Sequence, residues 1–142
     1  MPDPLPTRPV TDLRLRKHAD YQRAYKAGRK QFAREMSYFF AMRSTLPERK
    51  LHPSESLLDL PTGPRIGLTV GKVLGKAVDR NRIKRRLRAA VRQHASLLEG
   101  LAVDVILHPR KSALTLDWPV LEREVATVFK TVRKLAARIG PA

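Results

Sequence analysis

The chain has 142 residues, with 29 Lys and Arg against 13 Asp and Glu, a formal charge of +16 and a pI near 11.2. That length sets one domain with a modest core, and the absence of cysteine excludes a disulfide framework and any thiolate metal site. So large a cationic excess opposes compaction and points to a polyanionic partner, while no apolar run reaches the ~18–20 residues of a membrane span.

The first stretch, "MPDPLPTRPV", lacks the apolar core of a signal peptide, so a cytoplasmic nucleic-acid-binding protein is expected. Residues 1–11 carry four prolines and few apolar anchors, which predicts a disordered tail before a single RNA-binding domain over 12–139. "HADYQRAYKAG" reads as a short helix, with Tyr21, Ala24 and Tyr25 on one face and Gly28 as its stop. The stretch near Lys30 to Ala33 leaves room for a short extra strand. "EMSYFFAMR" alternates and so predicts a strand: Met36, Tyr38, Phe40 and Met42 point one way, Ser37, Phe39, Ala41 and Arg43 the other.

Residues 44–64 are rich in Pro, Ser and charge and predict a long loop insertion. "RIGLTVGK" (65–72) and "LAVDVILH" (101–108) predict strands on either side of a basic helix. The last element, from about Asp117 to Ile139, places Leu121, Val125, Val128, Val132, Leu135 and Ala136 on one helical stripe, with Pro119 in the first turn and Gly140 at the end. The order predicts an α+β sandwich of one sheet and helices.

The basic helix contains "DRNRIKRRLRAAVR" (79–92), with seven cations in fourteen positions. At about 100° per residue from Arg80, the residues Lys84, Arg88, Arg92 and Arg85 fall at about 40°, 80°, 120° and 140°. Ala90, Ile83, His94, Leu87 and Val91 fall between about 280° and 20°, while Arg82 and Arg86 lie on the far side. An apolar stripe for the sheet therefore runs beside a cationic stripe. A merely solvated face would mix signs at i, i+4, because like charges at that spacing repel; a row of phosphates would neutralise them. Asn81 is either an N-terminal cap or a directional contact to sugar, base edge or phosphate.

"AVDRNRIKRRLRAAVR" resembles the arginine-rich RNR motif of the bacterial ribonuclease P protein component. The resemblance extends to "RLRKHADYQRAYKAGR" as the first helix, "PRIGLTVGKVLGKAV" before the motif and "VDVILHPRK" after it, covering about 100 residues from Leu13 to Leu135. It implies an α-β-β-β-α-β-α sandwich with one central sheet and a left-handed β-α-β crossover, an exception to the usual right-handed rule, like the second domain of ribosomal protein S5. It also implies the protein subunit of an enzyme that removes the 5′ leader of precursor tRNA by endonucleolytic cleavage. In that enzyme the catalysis and most of the Mg²⁺ binding belong to the RNA subunit. By position, Lys72, Arg80, Asn81, Arg82, Lys84, Arg85, Arg88 and Arg92 become the RNA-binding set. Tyr21 and Tyr25 match the leader cleft, with Tyr38 and Phe40 as candidates for its floor; ordinary core packing is the other reading of these rings. The Pro-rich start, the 44–64 insertion and Val73, where a second Lys is common, depart from the pattern.

No catalytic or metal-ligating protein residue is expected. The four histidines form no i, i+4 pair, Ser112 has no recognisable base, and the acids are scattered rather than clustered for two-metal cleavage. The expected partners are the catalytic RNA and the precursor leader, with no membrane and no obligate protein partner. The rivals are a ribosomal or ribosome-assembly RNA-binding protein, a DNA-binding helix module and a stand-alone nuclease.

Overall fold

A computed structural model describes residues 14–43 and 63–139. The proposed tail (1–11) and all of the insertion except Gly63 and Pro64 lie outside the described residues. The elements run α1 (His18–Ala27), β1 (Arg29–Phe32), β2 (Met36–Met42), β3 (Arg65–Leu68), α2 (Ala77–His94), β4 (Val103–Pro109) and α3 (Trp118–Ile139), with short 3-10 turns at Lys72–Leu74, Ala95–Leu98 and Lys111–Leu114. The four strands lie in the order β1-β2-β4-β3, with β3 and β4 parallel and the other neighbours antiparallel. The connection between the parallel pair is α2, so the basic helix is a crossover held against the sheet.

The alternation of β2 divides the molecule into two unequal cores. Met36, Tyr38 and Phe40, with Val103, Val105 and Leu107 of β4, meet Ile83, Leu87 and Ala90 of α2 and Leu121, Val125 and Phe129 of α3. On the opposite face Ile106 joins Leu15, Ala24, Tyr21, Tyr25, Phe39 and Ala41 in a smaller cluster beneath α1. Two helices therefore cover one face and a single short helix part of the other. That asymmetry leaves room for a binding surface on the α1 side.

Two expected strands are shorter or shifted. β3 ends at Leu68 rather than Lys72, although the Thr69 amide still donates to Leu107 O at 2.9 Å. β4 begins at Val103, two residues later than expected. α1 does stop at Gly28, but not through a left-handed turn, since its φ is −82°. Instead, a Cβ there would run into the carbonyl oxygens of Ala24 and Phe40, so glycine is required by close approach of the helix end to β2.

A buried ionic network ties the α1 side together. Asp104, 1 % exposed on β4, accepts from Arg43 beyond β2 and from Arg65 Nε at 2.8 Å and Nη2 at 2.9 Å. Arg65 also donates to Asp20 on α1 at 3.1 Å. Burial disfavours the Arg65 cation, but Asp104 and Asp20 outweigh it and raise its pKa above the ordinary value; burial lowers that of Arg43 despite the same carboxylate.

Candidate RNA interface

The residues of α2 sort as their angles predict. Ile83, Leu87, Ala90 and Val91 are buried, whereas Asn81, Arg82, Arg85, Arg88 and Arg92 are exposed and Lys84 is half-buried. Among the described residues none of Arg80, Arg82, Lys84, Arg85, Arg88 and Arg92 is ion-paired to an acid. Arg80 is partly used within the fold, its Nε donating to Gly75 O at 3.2 Å. Arg86, on the far side, donates to the carbonyls of Ala113 and Leu116 and fastens the turn before α3. It is a structural arginine.

Asn81 is not a cap: α2 begins at Ala77 after Lys76, so Asn81 lies in the second turn with its side chain exposed. Lys72 is exposed too, in the 3-10 turn that packs against α2 rather than at the end of a strand. His94, expected within the apolar stripe, is half-buried, with Nε2 3.1 Å from Glu122 Oε1.

The N-terminal segment adds cations that periodicity did not reveal. The Leu15 amide donates to Ile66 O at 3.0 Å, laying residues 14–16 along the free edge of β3. Arg14 and Arg16 thereby face Arg85, Arg88 and Arg92 across a cleft of about 810 Å³ whose apolar lining includes Leu15, Leu68, Val91 and the Tyr21 ring. Burial, and then the neighbouring Arg14 guanidinium, pull the Arg88 pKa below its ordinary value. Such mutual repulsion is relieved by a bound anion. Tyr21 can reach the cleft because β3 carries Gly67 beneath it; a Cβ there would come within 2.5 Å of the Tyr21 hydroxyl oxygen. Burial raises the Tyr21 phenol pKa, and the nearby Leu68 backbone opposes that rise.

The expected aromatic floor is corrected. Tyr38 and Phe40 are each 2 % exposed and belong to the main core, on the sheet face turned away from Tyr21 and Tyr25. Tyr38, whose hydroxyl argued for a wet rim, is instead buried near Thr131 of α3, and burial raises its phenol pKa above the ordinary value. The ring that joins the tyrosines is Phe39, edge-on to Tyr25 at 4.9 Å between centroids. His108, paired with Ser37 across β2 and β4, completes this surface at 5.6 Å from Tyr25 and 5.5 Å from Phe39. The Tyr25 hydroxyl lies 2.8 Å from Thr69 Oγ1 and 3.0 Å from His108 Nε2, which fixes the ring over the sheet.

Burial and then the Lys30 charge lower the His108 pKa below its ordinary 6.5, so the folded protein favours the neutral ring. In that case the unfolded chain binds more protons, and stability present above about pH 6.5 falls as the solution is acidified through the depressed folded value. His108→Gln should flatten that decline, as read from urea midpoints between about pH 7 and pH 5.

Five of the eight acids among the described residues are engaged in the fold through their carboxylates. Asp20 and Asp104 serve the arginine network, Glu122 meets His94, Glu124 accepts from the Glu35 amide at 2.9 Å, and Glu35 accepts from Ser112 at 2.8 Å. Among those residues no three His, Asp or Glu side chains converge as a metal-ligand group, so they do not fit a metal site of the chain's own. No helix among them is long and apolar enough to cross a membrane.

Comparison with known proteins identifies the family. The family model for ribonuclease P matches residues 11–133. The chain belongs to the ribonuclease P protein family. A ribonuclease P protein component from Helicobacter acinonychis is 33% identical over 129 residues, 90% of this chain and 82% of that one. Another, from a Geobacter species, is 42% identical over 89 residues, 60% of this chain and 75% of the relative. Among solved structures, a Staphylococcus aureus RNase P protein mutant with defective mRNA degradation activity superposes with a TM-score of 0.67 at 28% identity, covering 87% of this chain and 90% of that one. The RNase P protein of Thermotoga maritima shares the fold, with a TM-score of 0.64 at 20% identity, over 83% and 96% of the two chains.

This chain is accordingly an RNA-binding component of ribonuclease P, the enzyme that processes tRNA 5′ ends, and it associates with the ribonuclease P RNA. Ribonuclease P as a whole is a metal-dependent ribonuclease. The comparisons give no support to a ribosomal or assembly protein.

Proposed function

We propose that the exposed face of α2 holds the catalytic RNA, while Tyr21, Tyr25 and Phe39 hold the single-stranded 5′ leader of precursor tRNA. The observation that carries this reading is the adjacency of two surfaces. One is a helix face of cations that, among the described residues, have no acidic partner; the other is a sheet face that, among the same residues, a short helix covers in part. Phosphates neutralise the first, and bases stack on the second with little sequence preference, as many different leaders require. The cleft that Arg14, Arg16, Arg85, Arg88 and Arg92 ring lies between the two and gives the RNA backbone a continuous path.

Mg²⁺ supplies the Lewis-acid chemistry of phosphodiester hydrolysis in this scheme, bound mainly by the RNA. This chain's residues contribute cations that draw the RNA strands together and rings that hold the leader. Its residues transfer no proton.

The test is the affinity of the reconstituted ribonucleoprotein for precursor tRNA and for mature tRNA. The leader should strengthen binding, and Phe39→Ala should weaken binding of the precursor by about 1–3 kcal/mol while leaving that of mature tRNA unchanged. Equal affinities of the unsubstituted ribonucleoprotein for the two RNAs would refute the leader assignment.

A further inference from the structure

The aromatic face does not end at Phe39. β1 is an edge strand, and its register with β2 pairs Lys30 with Phe39 and Phe32 with Ser37, which places Lys30 and Phe32 on the Phe39 side of the sheet. Phe32 is 71 % exposed. Lys30 Nζ lies 5.2 Å from the centre of the Phe32 ring and 6.0 Å from that of Phe39, within cation–π reach of both.

A single exposed phenylalanine is ordinary on a protein surface. Here, however, it continues a row: Tyr25 against Phe39, Phe39 beside His108, then the Lys30 ammonium bridging to Phe32. A ring beside a cation at the open end of such a row matches one nucleotide, with the base on the ring and its phosphate on the ammonium. We propose that Lys30 and Phe32 form an outer subsite for single-stranded RNA, which takes a leader nucleotide beyond those on Tyr21, Tyr25 and Phe39. This inference rests on the leader reading above. The outer edge of β1, unpaired among the described residues, could also accept a strand from a second protein molecule, but the bridging cation and the +16 charge of the chain favour nucleic acid.

The experiment measures binding by the reconstituted ribonucleoprotein of precursor tRNAs whose leaders lengthen one nucleotide at a time. With the unsubstituted chain, affinity should rise stepwise to a plateau. Phe32→Ala should remove the last step and lower the plateau about fivefold, with short leaders unaffected. Lys30→Gln should reduce the salt dependence of the longest leader by roughly one phosphate contact. Because Phe32 is largely exposed, its loss leaves both cores intact.

A Phe32→Ala profile superimposable on that of the parent overturns the subsite. So does equal weakening at every leader length, which would place Phe32 against the catalytic RNA or the tRNA body. A concentration-dependent dimer abolished by Phe32→Ala, with the leader profile unchanged, would assign the edge to a protein strand. If the parent shows no leader dependence at all, the leader reading itself fails and the subsite falls with it.

Discussion

Replacing Arg85, Arg88 and Arg92 together by alanine should reduce affinity for the ribonuclease P RNA by about a hundredfold or more and cut the slope of log K against log salt by about two to three units. The three side chains are exposed and, among the described residues, lack an acidic partner, so each is available to neutralise one phosphate. One lost contact lowers the slope by about 0.7 to 0.9 and removes a charge-assisted bond of about 1.5 kcal/mol or more. Stability should hold or rise slightly. Arg88 stands at i, i+3 from Arg85 and i, i+4 from Arg92, and such like-charged pairs cost a few tenths of a kcal/mol. Filter binding across a salt series, with thermal melts of the protein alone, separates the two effects. A large affinity loss with an unchanged slope would mean that the arginines support the fold rather than contact phosphate.

The same substitution made at Arg86 should behave differently. Its bonds to the Ala113 and Leu116 carbonyls are internal, so stability rather than the salt slope should respond. Seven cations in one helix are thus not interchangeable, and only the packing of the turn before α3 distinguishes this one.

Asp104→Asn should destabilise the protein by about 3–5 kcal/mol, seen as a lower urea midpoint at unchanged m value. The carboxylate is 1 % exposed and stands between Arg43 and Arg65, so its neutralisation leaves two part-buried guanidinium groups without their shared counter-charge. Arg65 would keep Asp20, and Arg43 would keep the Val103 and Gly63 carbonyls, which hold the loss within that range. Through Arg65 the network also ties α1 to β3 and β4. Leader affinity should therefore fall along with stability, whereas phosphate binding by α2 should persist. A shift below about 0.5 kcal/mol would show that water replaces the carboxylate and that the network is not structural.

How much of this could be read from the chain depends on the range of the interaction involved. The α2 faces were legible because a 3.6-residue period over 18 residues leaves little choice of which side is buried. For β2 the alternation fixed the strand but not which face meets the larger core. Aromatic content drew the expectation to Tyr38 and Phe40, yet Met36, Tyr38 and Phe40 form the bulkier apolar set, and two helices rather than one must cover it. The available signal was therefore total apolar bulk, not ring count. The Tyr38 hydroxyl misled because what buries its ring, the main core closed by α3, is far away in sequence.

Other parts of the site had no local signature. The Asp104 contacts join residues 39 and 61 apart. Arg14 and Arg16 lie in a segment without periodicity and gain a role only because Leu15 pairs with the β3 edge. Gly67 looked like an ordinary strand residue, and only the ring of Tyr21 above it explains the missing side chain. His108 ended a predicted strand without a visible partner, since its contacts with Tyr25 and Phe39 depend on sheet register.

The most direct measurement of the central claim, that this chain works by gripping RNA on two neighbouring surfaces, is single-turnover cleavage of precursor tRNA by the matching ribonuclease P RNA at limiting Mg²⁺. The protein should restore cleavage that the RNA alone performs poorly, the Arg85/Arg88/Arg92 triple alanine variant should not, and the protein without RNA should leave the substrate intact. Full rescue by the triple variant, or cleavage by the protein alone, would contradict it.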